Sequence, residues 1–124
     1  MLTDTTFWID LLQERRTQYG PAHEFMAENR SHSFYVSIVT WGELAEGFER
    51  ESDLNYFLRG VRTLPLPRQV VWEGSRIQRA LNARLGENDT WIAATALTWG
   101  KRLVSRDNAF RRVPGLTVVD YADA

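Results

Sequence analysis

The chain has no cysteine, one lysine (Lys101) and two histidines, His23 and His32. Without cysteine there are no disulfides, no thiolate nucleophile and no sulfur-ligated zinc or iron–sulfur centre. The two histidines lie in a polar stretch and lack ligand spacing, so they read as surface residues and a histidine-centred mechanism is not expected. No apolar run is long enough to span a membrane. Near the start, Asp4 and Asp10 interrupt the apolar residues, so neither a signal peptide nor an anchor is expected, and cytoplasmic localisation without membrane attachment is the default. The formal net charge of −1 excludes a protein that coats nucleic acid by bulk positive charge.

What is present suits one globular domain over residues 1–124, with 44% hydrophobic and 12% aromatic residues to form a core. Charge is unevenly placed. Glu43, Glu46, Glu49, Glu51 and Asp53 crowd one segment against Arg50 alone. Lys101, Arg102, Arg106, Arg111 and Arg112 crowd another against Asp107 alone. Every cation except Lys101 is arginine, whose planar fork matches phosphate oxygens, although a GC-rich genome would produce the same bias.

In chain order, Met1 to Thr3 reads as a short extended start, and Asp4-Thr5-Thr6 as a junction into a helix carrying Phe7, Trp8, Leu11 and Leu12. Gly20-Pro21 precedes a second helix from about Ala22 to Asn29. Phe34 to Val39 reads as a strand. Thr40 is the expected cap of the next helix, with Glu43 at its third position in a capping box. Leu54, Phe57, Leu58 and Val61 mark another helix, and Leu64-Pro65-Leu66-Pro67 an edge-like extended piece. A long helix is expected from Pro67 to about Leu85, closed by Gly86.

Asp89 is then expected to cap a helix bearing Ile92, Ala93, Ala96 and Leu97, ended by Gly100. Leu103-Val104-Ser105 reads as a buried strand with Asp107 just beyond it. Phe110 anchors a single turn, Pro114-Gly115 bends the chain, and Leu116 to Val119 is the last strand. This alternation predicts an α/β fold with a mostly parallel sheet covered on both faces.

Asp4, Glu43, Asp89 and Asp107 all fall at the ligand-binding edge of such a sheet. Taken singly, each is explained by helix capping. Caps have no need to converge on one rim, so the set of four carries the argument. Converging carboxylates repel one another and raise their own pKa values unless a cation neutralises them. Mg²⁺ does so with oxygen ligands and retained waters, and supports metal-assisted phosphodiester hydrolysis.

Four segments together carry a family resemblance: Leu2-Thr3-Asp4-Thr5-Thr6 with Ile9-Asp10-Leu11-Leu12; Ser37 to Leu44 with Gly47; Asn88-Asp89 with Ile92 to Leu97; and Leu103 to Asp107 with Phe110 and Val113 to Leu116. In this order they resemble the PIN-domain ribonucleases, more narrowly the VapC-type toxins of toxin–antitoxin pairs. The resemblance implies a single PIN-like α/β/α sandwich with the first strand near its centre. It implies an Mg²⁺- or Mn²⁺-dependent RNA endonuclease acting on structured RNA, with Asp4, Glu43, Asp89 and Asp107 as the metal-binding and catalytic acids. Thr5 and Ser105 match supporting hydroxyl positions. The implied partners are a cognate VapB-type antitoxin and a second copy of the chain as a homodimer.

Two positions depart from the family pattern: Thr6 replaces the more usual asparagine or serine, and Ala109 stands where many relatives are acidic. Arg102, Arg106, Arg111 and Arg112 flank Asp107 and are candidates for holding the RNA backbone. Around the first helix and Trp99, apolar surface is a candidate contact for the antitoxin or the twin subunit, though most of it reads as core. A haloacid-dehalogenase-type phosphatase would need a second aspartate where Thr6 stands, and Lys101 is misplaced for a receiver domain. A catalytically inactive PIN-like metal- or RNA-binding module remains the alternative.

Overall fold

Two residues of strand suffice at the centre of this sheet because Leu2 and Thr3 are wholly buried and paired on both sides. The computed structural model describes residues 1–15, 17 and 19–123; Arg16, Gln18 and Ala124, within the span expected as one domain, lie outside the described residues. The strands are β1 (Leu2–Thr3), β2 (Tyr35–Ser37), β3 (Arg62–Leu64), β4 (Leu103–Val104) and β5 (Val118–Val119). They lie in the order β3-β2-β1-β4-β5, and every pairing is parallel. The helices are α1 (Thr5–Glu14), α2 (Pro21–Glu28), α3 (Ile38–Ala45), α4 (Glu51–Phe57), α5 (Arg68–Ala80) and α6 (Glu87–Thr98). A 3-10 turn at Asn108–Arg112 follows β4.

Alternation along each strand sends neighbouring side chains to opposite layers. Leu2 and Leu103 join Val70, Ile77, Ile92, Ala93, Ala96 and Phe110 beneath α5 and α6. Val36 and Val104 join Phe7, Trp8, Leu11, Leu44 and Leu54 beneath α1, α3 and α4. The expected three-layer sandwich and central first strand are therefore observed. Phe7 and Trp8, expected as possible partner surface, are core, 0% and 2% exposed. Trp8 also donates from Nε1 to Thr3 Oγ1 at 2.7 Å, and Thr3 in turn donates to the Tyr35 carbonyl. Truncating such a side chain to alanine costs about 3–5 kcal/mol.

Several boundaries differ from expectation. β2 stops at Ser37 because the Ser37 hydroxyl accepts the Thr40 amide at 3.0 Å and so caps α3 itself. Thr40 is inside the helix, and Glu43 is at its sixth residue, not the third position of a capping box. α5 ends at Ala80 instead of Leu85. Gln78 donates to the Leu85 carbonyl at 2.8 Å and accepts its amide at 3.1 Å, so a loop satisfies the polar groups that further helix would have paired. Gly86 does not close α5; it stands at the N-cap of α6.

His23 is half-buried, with Nδ1 3.0 Å from Glu14 Oε1, and is not a free surface residue. Gly100 and Gly115 have φ of 62° and 79°, as a helix stop and a bend require. Among the described residues, no helix is long and apolar enough to cross a membrane.

Candidate active site

The first strand delivers Asp4 to the carboxyl edge of the sheet, where it ends β1 and caps α1. Its Oδ1 accepts the Phe7 amide at 2.9 Å, and its Oδ2 accepts the Ser105 hydroxyl at 2.5 Å. The residue is 3% exposed. Burial, reinforced by the nearby charges of Asp89 and Asp107, raises its carboxyl to about 6, against the downward pull of those two hydrogen bonds.

Glu43 reaches the same edge from α3. Thr5 donates from Oγ1 to Glu43 Oε1 at 2.6 Å, and Asn88 donates from Nδ2 to Oε2 at 3.3 Å. Thr5 Oγ1 is also 3.1 Å from Thr40 Oγ1, which lies 3.4 Å from Ser37 Oγ, so a line of hydroxyls runs from the end of β2 to the carboxylate.

Asp89 is the third residue of α6. It was expected to cap that helix, but its side chain makes no capping bond and Gly86 occupies the N-cap. The half-buried carboxylate therefore stays in the positive field of the helix N-terminus without capping it. Burial first, then the charges of Asp107 and Glu43, raise its pKa. Asp107 is exposed; its Oδ1 accepts the Ala109 amide at 2.9 Å to cap the 3-10 turn, and its own amide donates to Ser105 Oγ at 3.0 Å.

The four acids are thus neighbours in space. Asp4 feels Asp89 and Asp107, Asp89 feels Asp107 and Glu43, and hydrogen bonds cross 38, 45 and 101 positions of sequence to hold them. Among the described residues, no lysine or arginine forms an ion pair with any of the four. Nor do three or more histidine or acidic side chains there stand arranged to hold one ion. The acids form an open rim, not a closed cage. An all-oxygen donor set of like charge, with the Asp4 and Asp89 carboxyls raised and no cation paired to it among the described residues, has the chemistry that suits a hard divalent ion with retained waters.

Residues 1–116 match the PIN domain family. This chain belongs to the PIN-domain family. It is 31% identical over 96 residues to Ribonuclease VapC4 of Mycobacterium tuberculosis, covering 68% of this chain and 74% of that protein. Its fold is similar to the toxin–antitoxin complex from Klebsiella pneumoniae (TM-score 0.75, 22% identity, 99% and 98% of the two chains). It is also similar to VapBC-1 of nontypeable Haemophilus influenzae (TM-score 0.78, 23% identity, 97% and 96%).

Within this PIN domain, three of the four arginines expected to hold RNA have protein partners. Arg106 clasps Asp10, Nε to Oδ2 at 2.7 Å and Nη2 to Oδ1 at 3.3 Å, and Tyr121 donates to the same Oδ2 at 2.6 Å. The hydrogen bond to Asp10 raises the Arg106 pKa. Arg112 donates to the Ala83 carbonyl at 2.9 Å, Arg111 lies 3.9 Å from Asp120, and Arg102 is exposed.

Thr5 and Ser105 do sit on the acids, as the resemblance implied. Sequence reasoning missed Asn88, Thr40 and the Asp10–Tyr121 pair. Asn88, directly before Asp89, was the one with a local signal. The others reach their partners across the fold.

Proposed function

We propose that this PIN-domain chain is an Mg²⁺- or Mn²⁺-dependent endoribonuclease, the toxin of a toxin–antitoxin pair, which hydrolyses phosphodiester bonds in structured RNA. The supporting observation is the rim of four carboxylates from distant segments, one buried with its carboxyl raised to about 6 and none paired with a cation among the described residues. Similarity to Ribonuclease VapC4 supports the substrate class.

Asp4, Glu43, Asp89 and Asp107 would hold the ion, which when bound supplies Lewis acidity and a water of lowered pKa. Ser105 holds the Asp4 carboxylate against β4, and Thr5 and Asn88 orient Glu43. The half-buried Asp89 and exposed Asp107 leave carboxylate oxygens facing the phosphodiester side. In this reading the chain works in the cytoplasm, is held inactive by a VapB-type antitoxin and pairs with a second copy of itself.

A second reading, a PIN-like metal- or RNA-binding module without turnover, is favoured by the open arrangement of the acids. Incubating the purified chain with a labelled structured RNA separates the two. Cleavage that needs Mg²⁺ or Mn²⁺, stops in EDTA and disappears in Asp89→Asn supports the nuclease. Equal cleavage by Asp89→Asn overturns the assignment of the acids. RNA binding without cleavage in either ion selects the inactive module.

A further inference from the structure

We propose that the cleft between α5 and the start of α6 is a subsite for single-stranded RNA, holding a nucleotide beyond the two joined by the phosphodiester that meets the acids. The cleft has a volume of about 410 Å³ and is lined among others by Ser75, Arg79, Arg84, Glu87 and Trp91. Glu87 also borders the shallow depression formed with Gly86, Asn88 and Asp89, so the two hollows adjoin and lead to the acid rim. The proposal rests on the ribonuclease reading for the identity of the strand; the cleft itself is a feature of the fold.

Its walls supply what an unpaired nucleotide requires. Trp91 is half-buried against α5, with Cζ3 only 2.7 Å from where a Cβ on Gly74 would stand, so the missing side chain at Gly74 lets the indole lie close to the helix. Trp91 also lines the hollow. Aromatic faces stack on any base and so tolerate sequence variation. Arg79 and Arg84 are exposed, and among the described residues neither forms an ion pair with a carboxylate. The Arg79 guanidinium instead lies 5.5 Å from the ring centroid of Trp72, itself 63% exposed on the same helix.

Arginine forks and indole rings side by side match phosphate and base respectively. Gln78 forms a wall without reading the ligand, since its amide is engaged with Leu85 and Thr90. Glu87 places a negative charge at the end nearest the acids, which keeps phosphate toward the arginine end. Around Asp107, by contrast, Arg106 and Arg112 are committed to protein partners.

The test uses the intact chain and two RNAs, a fluorescein-labelled single-stranded ten-mer and a dinucleotide too short to reach from the acids into the cleft. In EDTA, the ten-mer should bind the Arg79→Gln/Arg84→Glu variant roughly tenfold more weakly than the parent. Its logarithmic salt dependence should flatten by about 0.7 for each phosphate that the variant no longer neutralises. In Mn²⁺, the variant should cleave the ten-mer with a raised KM and the dinucleotide at the parental rate.

Equal affinity and equal salt slope in parent and variant would overturn the subsite, as would absence of ten-mer binding by the parent. A parallel loss of dinucleotide cleavage would also overturn it, by placing the arginines at the acids, and so would an altered oligomeric state with RNA binding intact. Arginine-dependent binding by a parent that cleaves neither these RNAs nor the labelled structured RNA in either ion would uphold the cleft and defeat the nuclease reading.

Discussion

Ser105 Oγ donates to Asp4 Oδ2 at 2.5 Å and accepts the Asp107 amide at 3.0 Å, so one buried hydroxyl fixes the acid after β1 relative to the acid after β4. Removing it leaves the Asp4 carboxylate one donor short in a dry site and frees the turn that aims Asp107. Ser105→Ala should lose about 1–3 kcal/mol of stability, the range for a buried group left without its partner. The Ser105 bond holds the Asp4 pKa down. Without it the acid limb of the pH–rate profile should move to higher pH. A variant whose stability fell while that limb stayed in place would limit Ser105 to packing.

Asp4 also ties stability to pH with a definite sign. Its carboxyl is raised from 3.8 to about 6 by burial and by Asp89 and Asp107. Between those values the unfolded chain has released a proton that the folded chain still holds, so stability falls as pH rises through the window. Above about 6 the full deficit, on the order of 3 kcal/mol, is present. In EDTA about half of that deficit accrues between pH 5 and pH 7.5, so the parent should melt roughly 5 °C higher at pH 5 than at pH 7.5. Asp4→Asn, which keeps a good helix cap, should flatten that difference. Mg²⁺ at pH 7.5 should return stability to the parent, about 2.7 kcal/mol at a hundred times its Kd, and less to the variant. Calorimetric scans at the two pH values, with and without the ion, decide it.

Thr5 controls Glu43 by a different route. The Thr5 bond to Oε1 and the Asn88 bond to Oε2 hold the two carboxylate oxygens from opposite sides. Thr5→Val keeps the shape of the side chain and removes the donor. The expected outcome is a fold that melts within about 1 kcal/mol of the parent. Cleavage should need a higher Mg²⁺ or Mn²⁺ concentration for half-maximal rate, and Thr5→Ser should recover it. An unchanged ion requirement in Thr5→Val would remove Thr5 from the positioning of Glu43.

How far the site could be read from the chain depended on the range of each interaction. Asp4 was legible because a short apolar strand, an aspartate and a helical stripe are consecutive, and local capping is what the structure contains. The parallel sheet was legible for the same reason: strands and helices alternate. Boundaries failed where distant groups decide them. α5 stops at Ala80 because Gln78 satisfies Leu85 from within the loop, which shifts Gly86 to the α6 N-cap and frees Asp89 from the capping role expected of it. The hydroxyls of Thr5 and Ser105 reach partners 38 and 101 positions away, and only family resemblance pointed to them. Nothing local indicates that Arg106 is committed to Asp10, 96 positions distant.

Gly74 sets how closely α5 approaches α6, and two opposing effects decide what a methyl group does there. Alanine favours an interior helical position over glycine by about 1 kcal/mol. The added Cβ, however, would stand 2.7 Å from Trp91 Cζ3 and 3.1 Å from Cε3, and overpacking of this kind costs about 1–3 kcal/mol. Because Gly74 is buried and the contact involves a rigid ring, the clash should win, and Gly74→Ala should lower stability by about 1 kcal/mol net. Pairing it with Trp91→Leu removes the ring and leaves only the helical gain, so the two substitutions should be non-additive, the double variant being more stable than the sum of its parts. Denaturant unfolding of the parent, both single variants and the double variant measures that coupling. Strict additivity would mean that the helices separate freely at Gly74 and that Trp91 is not held by it.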